Sequence, residues 1–338
     1  MKRSGLALFL CAGLYADTPP PAYDADLFRK DTRIYFFWNL EALCWKPNEG
    51  ALDYALKMKK PPANPTTMFA SGKTEKAEFN WEPGFRIGGG YFNAPHYWDI
   101  YPQYTYYHGE GHNSTKAPTK PGLFLNGTWA QPDISANPAP LVDARSDVEL
   151  NYHLFDLLVT RRFVPNPHLR IRLSGGVTAT WLRQQWDVRY RDTNDERSHV
   201  KTHWRFTGAG LRMGLIADWF LDFYDIYITG AMSGALFAGS YHNVSSQRTT
   251  LFAEPIRNVH YHDTRMPSHW QFLLGPSWQK VLGSIRTEIF FGYELNLWSD
   301  LQEVHRSTSG TAQGPKETTT NTGYLGLQGY TLRWNLDF

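Results

Sequence analysis

Residues 324–338 read YLGLQGYTLRWNLDF, and their alternation decides the fold. From Tyr330 on, every second residue is apolar (Tyr330, Leu332, Trp334, Leu336, Phe338), while Thr331, Arg333, Asn335 and Asp337 fill the places between. A strand turns successive side chains to opposite faces, so this stretch carries one greasy and one polar face. A terminal strand of a soluble sheet can alternate in the same way. An apolar face that runs up to a final aromatic is expected of a strand that closes a membrane barrel, and the rest of the chain must then supply that barrel.

The other end is consistent with export. Lys2 and Arg3 precede the apolar run Leu6 to Leu14, and Leu14-Tyr15-Ala16 ends in a small residue before Asp17, the layout of a signal peptide over 1–16. The expected mature domain is 17–338. Cys11 follows Leu10 inside the apolar run, so no lipoprotein anchor is expected, and cleavage leaves Cys44 without an internal disulfide partner. Removing Lys2 and Arg3 takes 34 basic residues to 32, equal to the 32 acidic ones. A neutral chain lacks the basic face that nucleic acid requires. Beyond the signal there is no run of about eighteen apolar residues, hence no expected transmembrane helix. The 13 Trp, 19 Tyr and 20 Phe suit the aromatic girdles of an outer-membrane barrel, although carbohydrate-binding β-proteins are also rich in them.

Along the chain, 17–31 with Pro19-Pro20-Pro21 reads as a lead-in that cannot pair. The first strand is expected over Arg33 to Cys44, with Ile34, Phe36, Trp38, Leu40 and Ala42 on one face. Lys46 to Ala77 reads as a loop with one strand-like piece (Leu52, Tyr54, Leu56, Met58). Glu78 to Phe92 places Phe79, Trp81, Phe85 and Ile87 opposite Asn80, Glu82 and Arg86, with Gly88 to Gly90 marking a bulge or a close backbone approach. Further strands are expected at 97–107, 147–163, 169–186, 203–217, 224–240, 269–279 and 284–298. In the 147–163 strand the alternation slips near Leu154 and Phe155. Short turns near 94, 166, 221 and 282 alternate with long loops near 60, 125, 195, 255 and 310. That rhythm belongs to an all-β, antiparallel, up-and-down transmembrane barrel of about ten strands, with eight to twelve as the range. A first loop folded as a hairpin would raise the count to twelve.

Five segments then stand out: EFNWEPGFRIGGGYF (78–92), NYHLFDLLVTRRF (151–163), LRIRLSGGVTATWLRQQW (169–186), FTGAGLRMGL (206–215) and LGLQGYTLRWNLDF (325–338). In this order they resemble the Legionella-type major outer membrane protein family, which is also found in chlamydia-like bacteria. The resemblance implies a pore-forming barrel of the bacterial outer membrane. It supplies no residue-level site. A mature chain with only Cys44 departs from the cysteine-linked envelopes associated with that family.

Alternation turns Arg33, Glu41, Glu82, Arg86, Asp99, Glu149, Arg170, Arg172, Arg286, Glu288, Glu294, Arg333 and Asp337 away from lipid. As pore-lining groups they set selectivity through their net field, and opposite signs close together predict weak selectivity. If they pair across a narrow lumen they plug it instead, since barrels of this size can be filled by side chains. Two His clusters are candidates for metal binding or catalysis: His260, His262 and Asp263 with His242, and His108 and His112 with Glu110. Both fall in expected surface loops, and no Gly-x-Ser-x-Gly, P-loop or Cys-x-x-Cys motif accompanies them. The expectation is therefore no enzyme, no cofactor and no metal. Expected partners are outer-membrane lipid and the barrel-assembly machinery, engaged through the strand ending in Phe338; a homo-oligomer is compatible with the sequence. Adhesion by the long loops, with the barrel as anchor, is the alternative function.

Overall fold

The computed structural model describes residues 34–59, 72–93, 98–129, 141–166, 168–221, 225–250, 253–255, 257–282, 285–307 and 318–338. The expected signal peptide, the lead-in and Arg33 lie outside these. Fourteen strands follow in order: β1 (Ile34–Glu49), β2 (Asp53–Lys59), β3 (Gly72–Lys76), β4 (Glu82–Asn93), β5 (Trp98–Lys116), β6 (Leu123–Gly127), β7 (Leu141–Asn166), β8 (Leu169–Asp192), β9 (Arg197–Phe220), β10 (Ile226–Thr249), β11 (Arg257–Arg265), β12 (Ser268–Leu282), β13 (Ile285–Ser307) and β14 (Thr318–Asp337).

Ten of them close a ring in the order β1, β4, β5, β7, β8, β9, β10, β12, β13, β14 and back to β1, with every pairing antiparallel. The last strand seals against the first along Glu49↔Leu325 to Phe37↔Asp337. Phe338 then exchanges two backbone hydrogen bonds of 3.0 Å with Phe36. Closure leaves no free sheet edge in hydrocarbon, where an unpaired backbone group would be costly. β11 continues the line of β12 along β10 after a break at Met266 and Pro267.

Around the ring the outer face is apolar. On β1 Phe36, Trp38 and Leu40 are exposed, on β8 Leu173, Val177 and Trp181, on β9 Leu211, Met213, Leu215 and Trp219, and on β14 Tyr330, Leu332, Trp334 and Phe338. On β8 this belt runs from Ile171 to Trp181, eleven residues, which matches the nine to eleven or so that a tilted strand needs to cross a bilayer. Yet β8 has 24 residues, about 80 Å of chain at ~3.3 Å each. The wall therefore stands well clear of the membrane at the long-loop end.

Several expectations change there. The region read as a loop from Lys46 to Ala77 contains β2 and β3, and β2 pairs with both β3 and β6. Among the described residues their strand pairing reaches the ring at Leu125↔Leu141, so the count of wall strands stays at ten. β5 runs on to Lys116 and β10 to Thr249, through stretches expected to be loops. The charged segment 189–200 is mostly strand. Its turn is shortened by Asp192, whose Oδ1 accepts from the Asn194 and Glu196 amides, and by Asp195 in the left-handed region at φ 62°. Gly88 to Gly90 make no bulge: β4 stays in register with β1, and a Cβ on Gly90 would sit 2.1 Å from the Ile100 carbonyl oxygen.

The slip at Leu154 and Phe155 is not a register shift either, because pairing runs unbroken through it. What changes is the chemistry of the two faces. Below, β7 points Asp156 and Thr160 inward and Phe155, Leu157 and Val159 outward; above, it points Val148, Leu150, Tyr152 and Leu154 inward and Asp147, Glu149 and Asn151 outward. A wall that leaves the bilayer needs a wet outside and a dry inside. Phe79, expected on the lipid face, is buried in this upper core because 78–81 is not strand.

The belt sets a stability difference by face. Leu211→Arg, at the middle of the β9 lipid face, is expected to cost about 2–4 kcal/mol, read from denaturant unfolding of the barrel in lipid vesicles. Lys201→Gln, on the same face above the belt, is expected to change it by less than about 0.5 kcal/mol.

Candidate functional site: the lumen

At belt height the inward residues are mostly polar and charged, with Leu158, Leu273 and Phe290 among them. Arg86 on β4 is the hub. Its Nη1 donates to Glu41 Oε2 of β1 at 2.5 Å, its Nη2 to Glu294 Oε1 of β13 at 2.7 Å, and its Nε to Thr105 Oγ1 at 2.9 Å. Glu294 also accepts from Thr331 Oγ1 at 2.6 Å, Gln271 Nε2 at 2.6 Å and Asn296 Nδ2 at 3.0 Å. Nearer the short-turn end, Asp218 takes Arg170 Nε at 2.9 Å, Arg172 Nη2 at 3.1 Å and Thr229 Oγ1 at 2.8 Å. Arg286 pairs with Asp337 and stands 3.8 Å from Glu288. Arg333 lies 3.7 Å from Glu288 and 3.9 Å from Glu41.

Of the expected inward charges, Glu41, Arg86, Arg286, Glu288, Glu294, Arg333 and Asp337 are placed inside and linked to one another, while Asp99, Arg170 and Arg172 are placed inside on other partners. Glu82 is on the same face, half-buried opposite Trp45 and above the hub. Glu149 is the correction: it faces outward, hydrogen-bonded by Asn151 at 3.3 Å, because β7 has already left the membrane at that height. Three inward pairings or partners were missed. Arg212 meets Asp156 at 3.0 Å and His269 Nδ1 at 2.8 Å, Arg162 meets Asp99 at 3.3 Å, and Asp218 anchors two arginines. Strand parity alone would have found Arg212, which shares the inward face of β9 with Gly208 and Gly210.

The balance is even. Seven arginines (86, 162, 170, 172, 212, 286, 333) face seven carboxylates (Glu41, Asp99, Asp156, Asp218, Glu288, Glu294, Asp337), so these inward groups carry no net charge. Arginine suits the task because its planar fork reaches two carboxylates at once. Between them lies a cavity of about 130 Å³ lined by Glu41, Arg86, Asp99, Asp156, Arg162, Arg172, Arg212 and Arg333 among others, which has room for several waters.

Above the hub the interior becomes aromatic. Trp45, Tyr107, Tyr152, Phe237 and Trp298 form a layer, with Trp45 to Tyr152 at 6.3 Å, Tyr152 to Trp298 at 6.2 Å and Phe237 to Trp298 at 4.9 Å between ring centres. β7 and β13 stand five places apart in a ring of ten, so the Tyr152–Trp298 contact crosses the full bore. The guanidinium of Arg86 lies 5.6 Å from the Trp45 ring and ties the two storeys together. Higher still, the inserted strands contribute Leu52, Tyr54, Ala55 and Leu125 to the same cluster as Val188, Val200, Leu301 and Val304. The Tyr190 hydroxyl donates to the Tyr54 carbonyl at 2.5 Å.

Both His clusters sit on strands rather than in loops, and their histidines face outward above the belt, whereas Asp263 faces inward. His108 contacts Glu110 at 3.0 Å and Asn151 at 2.8 Å, and His112 contacts Asp147 at 2.9 Å. The hydrogen bond to Asp147 leads the causes that hold the His112 imidazole above its ordinary 6.5. Among the described residues no group of three or more His, Cys, Asp or Glu is placed to hold a metal ion. Cys44 is exposed, with a free thiol.

A closed antiparallel ring with a lipid-facing belt and a charged interior defines an outer-membrane β-barrel. Residues 33–338 match the family model described as Legionella pneumophila major outer membrane protein precursor. The chain belongs to that family, and its place is the outer membrane. No curated protein matches it. Among solved structures, the outer membrane protease OmpT from Escherichia coli is similar over 92% of this chain and 99% of its own, at 9% identity and a TM-score of 0.47. A Pseudomonas aeruginosa FadL homologue is similar over 93% and 92%, at 8% identity and a TM-score of 0.22. Identities this low fix no residue correspondence, so neither neighbour's activity passes to this chain.

Two outcomes test the site. Arg86→Gln leaves Glu294 buried without an ion-pair partner and Glu41 with only Arg333 at 3.9 Å, and is expected to cost about 3–5 kcal/mol of barrel stability, measured by denaturant titration. Asp147→Asn is expected to lower the His112 titration midpoint towards 6.5, read by NMR of the refolded barrel. The sign follows from linkage: a raised imidazole pKa stabilises the fold at low pH, and that contribution is lost as pH rises through the folded-state value.

Proposed function

We propose that the chain is a narrow outer-membrane channel for small ions and solutes, shut at rest by the aromatic layer above its lumen. The observation that carries this reading is the neutral set of seven arginines and seven carboxylates around a water-sized cavity at belt height. Such a lining offers a permeating ion a substitute for part of its hydration shell, and its cancelled net field favours neither sign. The pore-lining roles of Glu41, Arg86, Asp99, Arg172, Arg286, Arg333 and Asp337 rest on this proposal, and passage through the lumen needs no cofactor and no covalent chemistry. The Tyr152–Trp298 contact across the bore favours a second reading, in which the barrel is a plugged anchor and the strands above the membrane form an adhesive surface.

Single-channel recording of the refolded chain in a planar bilayer separates the two. The channel reading expects small ohmic steps with cation and anion permeabilities within a few-fold of each other. Removing the layer in Tyr152→Ala/Trp298→Ala is expected to raise conductance several-fold. Silence from both the wild type and that variant, with folding confirmed by heat-modifiable migration, rejects the channel and leaves the anchor.

A further inference from the structure

One outer-face feature is used neither by the lumen nor by the belt. Arg183 on β8, Arg205 on β9, His242 on β10 and His262 on β11 are direct cross-strand partners in one unbroken row. Arg183, Arg205 and His262 are exposed and His242 is half-exposed. Four adjacent strands spaced about 4.8 Å apart give the row a length of about 15 Å. Its height is set by the row beneath it, Trp181, Thr207, Ser240 and Thr264, where the lipid-facing residues of β8 to β10 give way to hydroxyls. The basic row therefore lies at the level of the outer-leaflet headgroups.

An outward carboxylate stands beside the row on β7: Glu149, one outward place above Asn151, the cross-strand partner of Arg183, accepts from Asn151 at 3.3 Å and forms no ion pair with the row among the described residues. Arg183 and Arg205 are directly opposed like charges, an arrangement that destabilises a sheet unless something offsets it. Neither has a carboxylate partner among the described residues. The nearest outward carboxylate on the row's own strands, Asp187, is two outward places higher, opposite Lys201, and is 3.6 Å from His199. Asp263 faces inward beside Tyr261. Arg183 Nε donates to His203 Nε2 at 2.9 Å, which fixes the guanidinium along the wall and leaves its other N–H groups available. Ser240 Oγ lies 3.2 Å from Nε2 of both His242 and His262. Burial lowers the pKa of both His203 and His242. Arg183 and Arg205 lower that of His203 further, and His262 and Arg205 that of His242, as expected where positive charge goes uncompensated.

We propose that this row binds the phosphorylated headgroup of an outer-leaflet lipid whose acyl chains lie down the belt below it. Guanidinium pairs match phosphate oxygens bidentately. A doubly charged phosphomonoester offsets two arginines at once, as a singly charged phosphodiester does not. Trp181, exposed directly below Arg183 on the same face, provides an amphipathic surface at the headgroup boundary.

The test uses the full refolded chain in detergent micelles, titrated by native mass spectrometry with four probes. These are a glucosamine-disaccharide lipid bearing two phosphomonoesters, the same lipid dephosphorylated, phosphatidylglycerol and inorganic phosphate. The wild type is expected to bind the bis-phosphorylated lipid at least tenfold more tightly than the other three. Arg183→Gln/Arg205→Gln is expected to lose that preference and Arg205→Gln alone to lose part of it. The control Lys116→Gln/Arg145→Gln, elsewhere on the outer wall, is expected to keep it. Four results overturn the proposal: undiminished binding by the double variant, an equal loss in the control pair, equal affinity for phosphatidylglycerol, or inorganic phosphate binding as tightly as the lipid. The single variant keeps the test decisive if the double variant does not fold.

Discussion

The structure depends on a backbone ring that closes on itself while its side chains keep a strict period of two. Hydrocarbon accepts no unpaired N–H or C=O group, so ten strands must be sealed by hydrogen bonds from β1 round to β14 before any side chain matters. Once sealed, each residue has only two directions available. An odd-numbered residue of β14 looks in and an even-numbered one looks out, from Leu325 to Phe338. Everything else in the molecule is a choice of what to place on two faces whose surroundings change with height.

That change explains what the sequence revealed and what it hid. Within the bilayer the code is simple, and the facing of Phe36, Trp38, Leu173, Val177, Leu332 and Trp334 could be read directly, as could the ring of about ten strands and its terminal closure. Above the bilayer the same period carries the opposite chemistry. Leu150, Tyr152 and Leu154 go inward where an apolar residue lower on the strand would go outward. A reader who assumes one environment sees a slip in β7, takes Glu149 for an inward charge and overlooks Asp156 and Arg162. The polar upper strands look like loops for the same reason. Their outer faces are wet, so β10 beyond Ser240 and β5 beyond Tyr106 lack the greasy stripe by which a membrane strand is recognised. The strands β2, β3 and β6 were legible only as the fragment around Tyr54, because their partners are short and distant in sequence.

The inward charges were individually visible, but their pairing was not, since it is set by which strands face each other across the ring. Glu294 lies 208 positions from Arg86 in the chain. Seven arginines and seven carboxylates in a confined space are tolerable because each ion has an oppositely charged neighbour, and around Arg86, Glu294 and Asp218 hydroxyl and amide groups of Thr105, Thr331, Gln271 and Thr229 add further hydrogen bonds. Removing one member exposes the cost that the rest conceal. The even count therefore serves stability first, and the cancelled net field of the proposed channel follows from it.

The aromatic closure has a comparable origin. A wall with strands of up to 26 residues projecting into water has to bury something, or its inner face would be a second wet surface with nothing to hold opposite sides at a fixed spacing. Trp45, Tyr152 and Trp298 supply that contact, and the inserted strands complete it with Tyr54 and Leu125. The dry layer is thus what long strands require whether or not the barrel conducts. Its place directly above the hub, with Arg86 against Trp45, means that any path through the lumen must part rings that also brace the upper wall. In the proposed channel, opening and local stability are consequently set by the same contacts, so a substitution that widens the bore must also loosen the strands that hold the outer face in register.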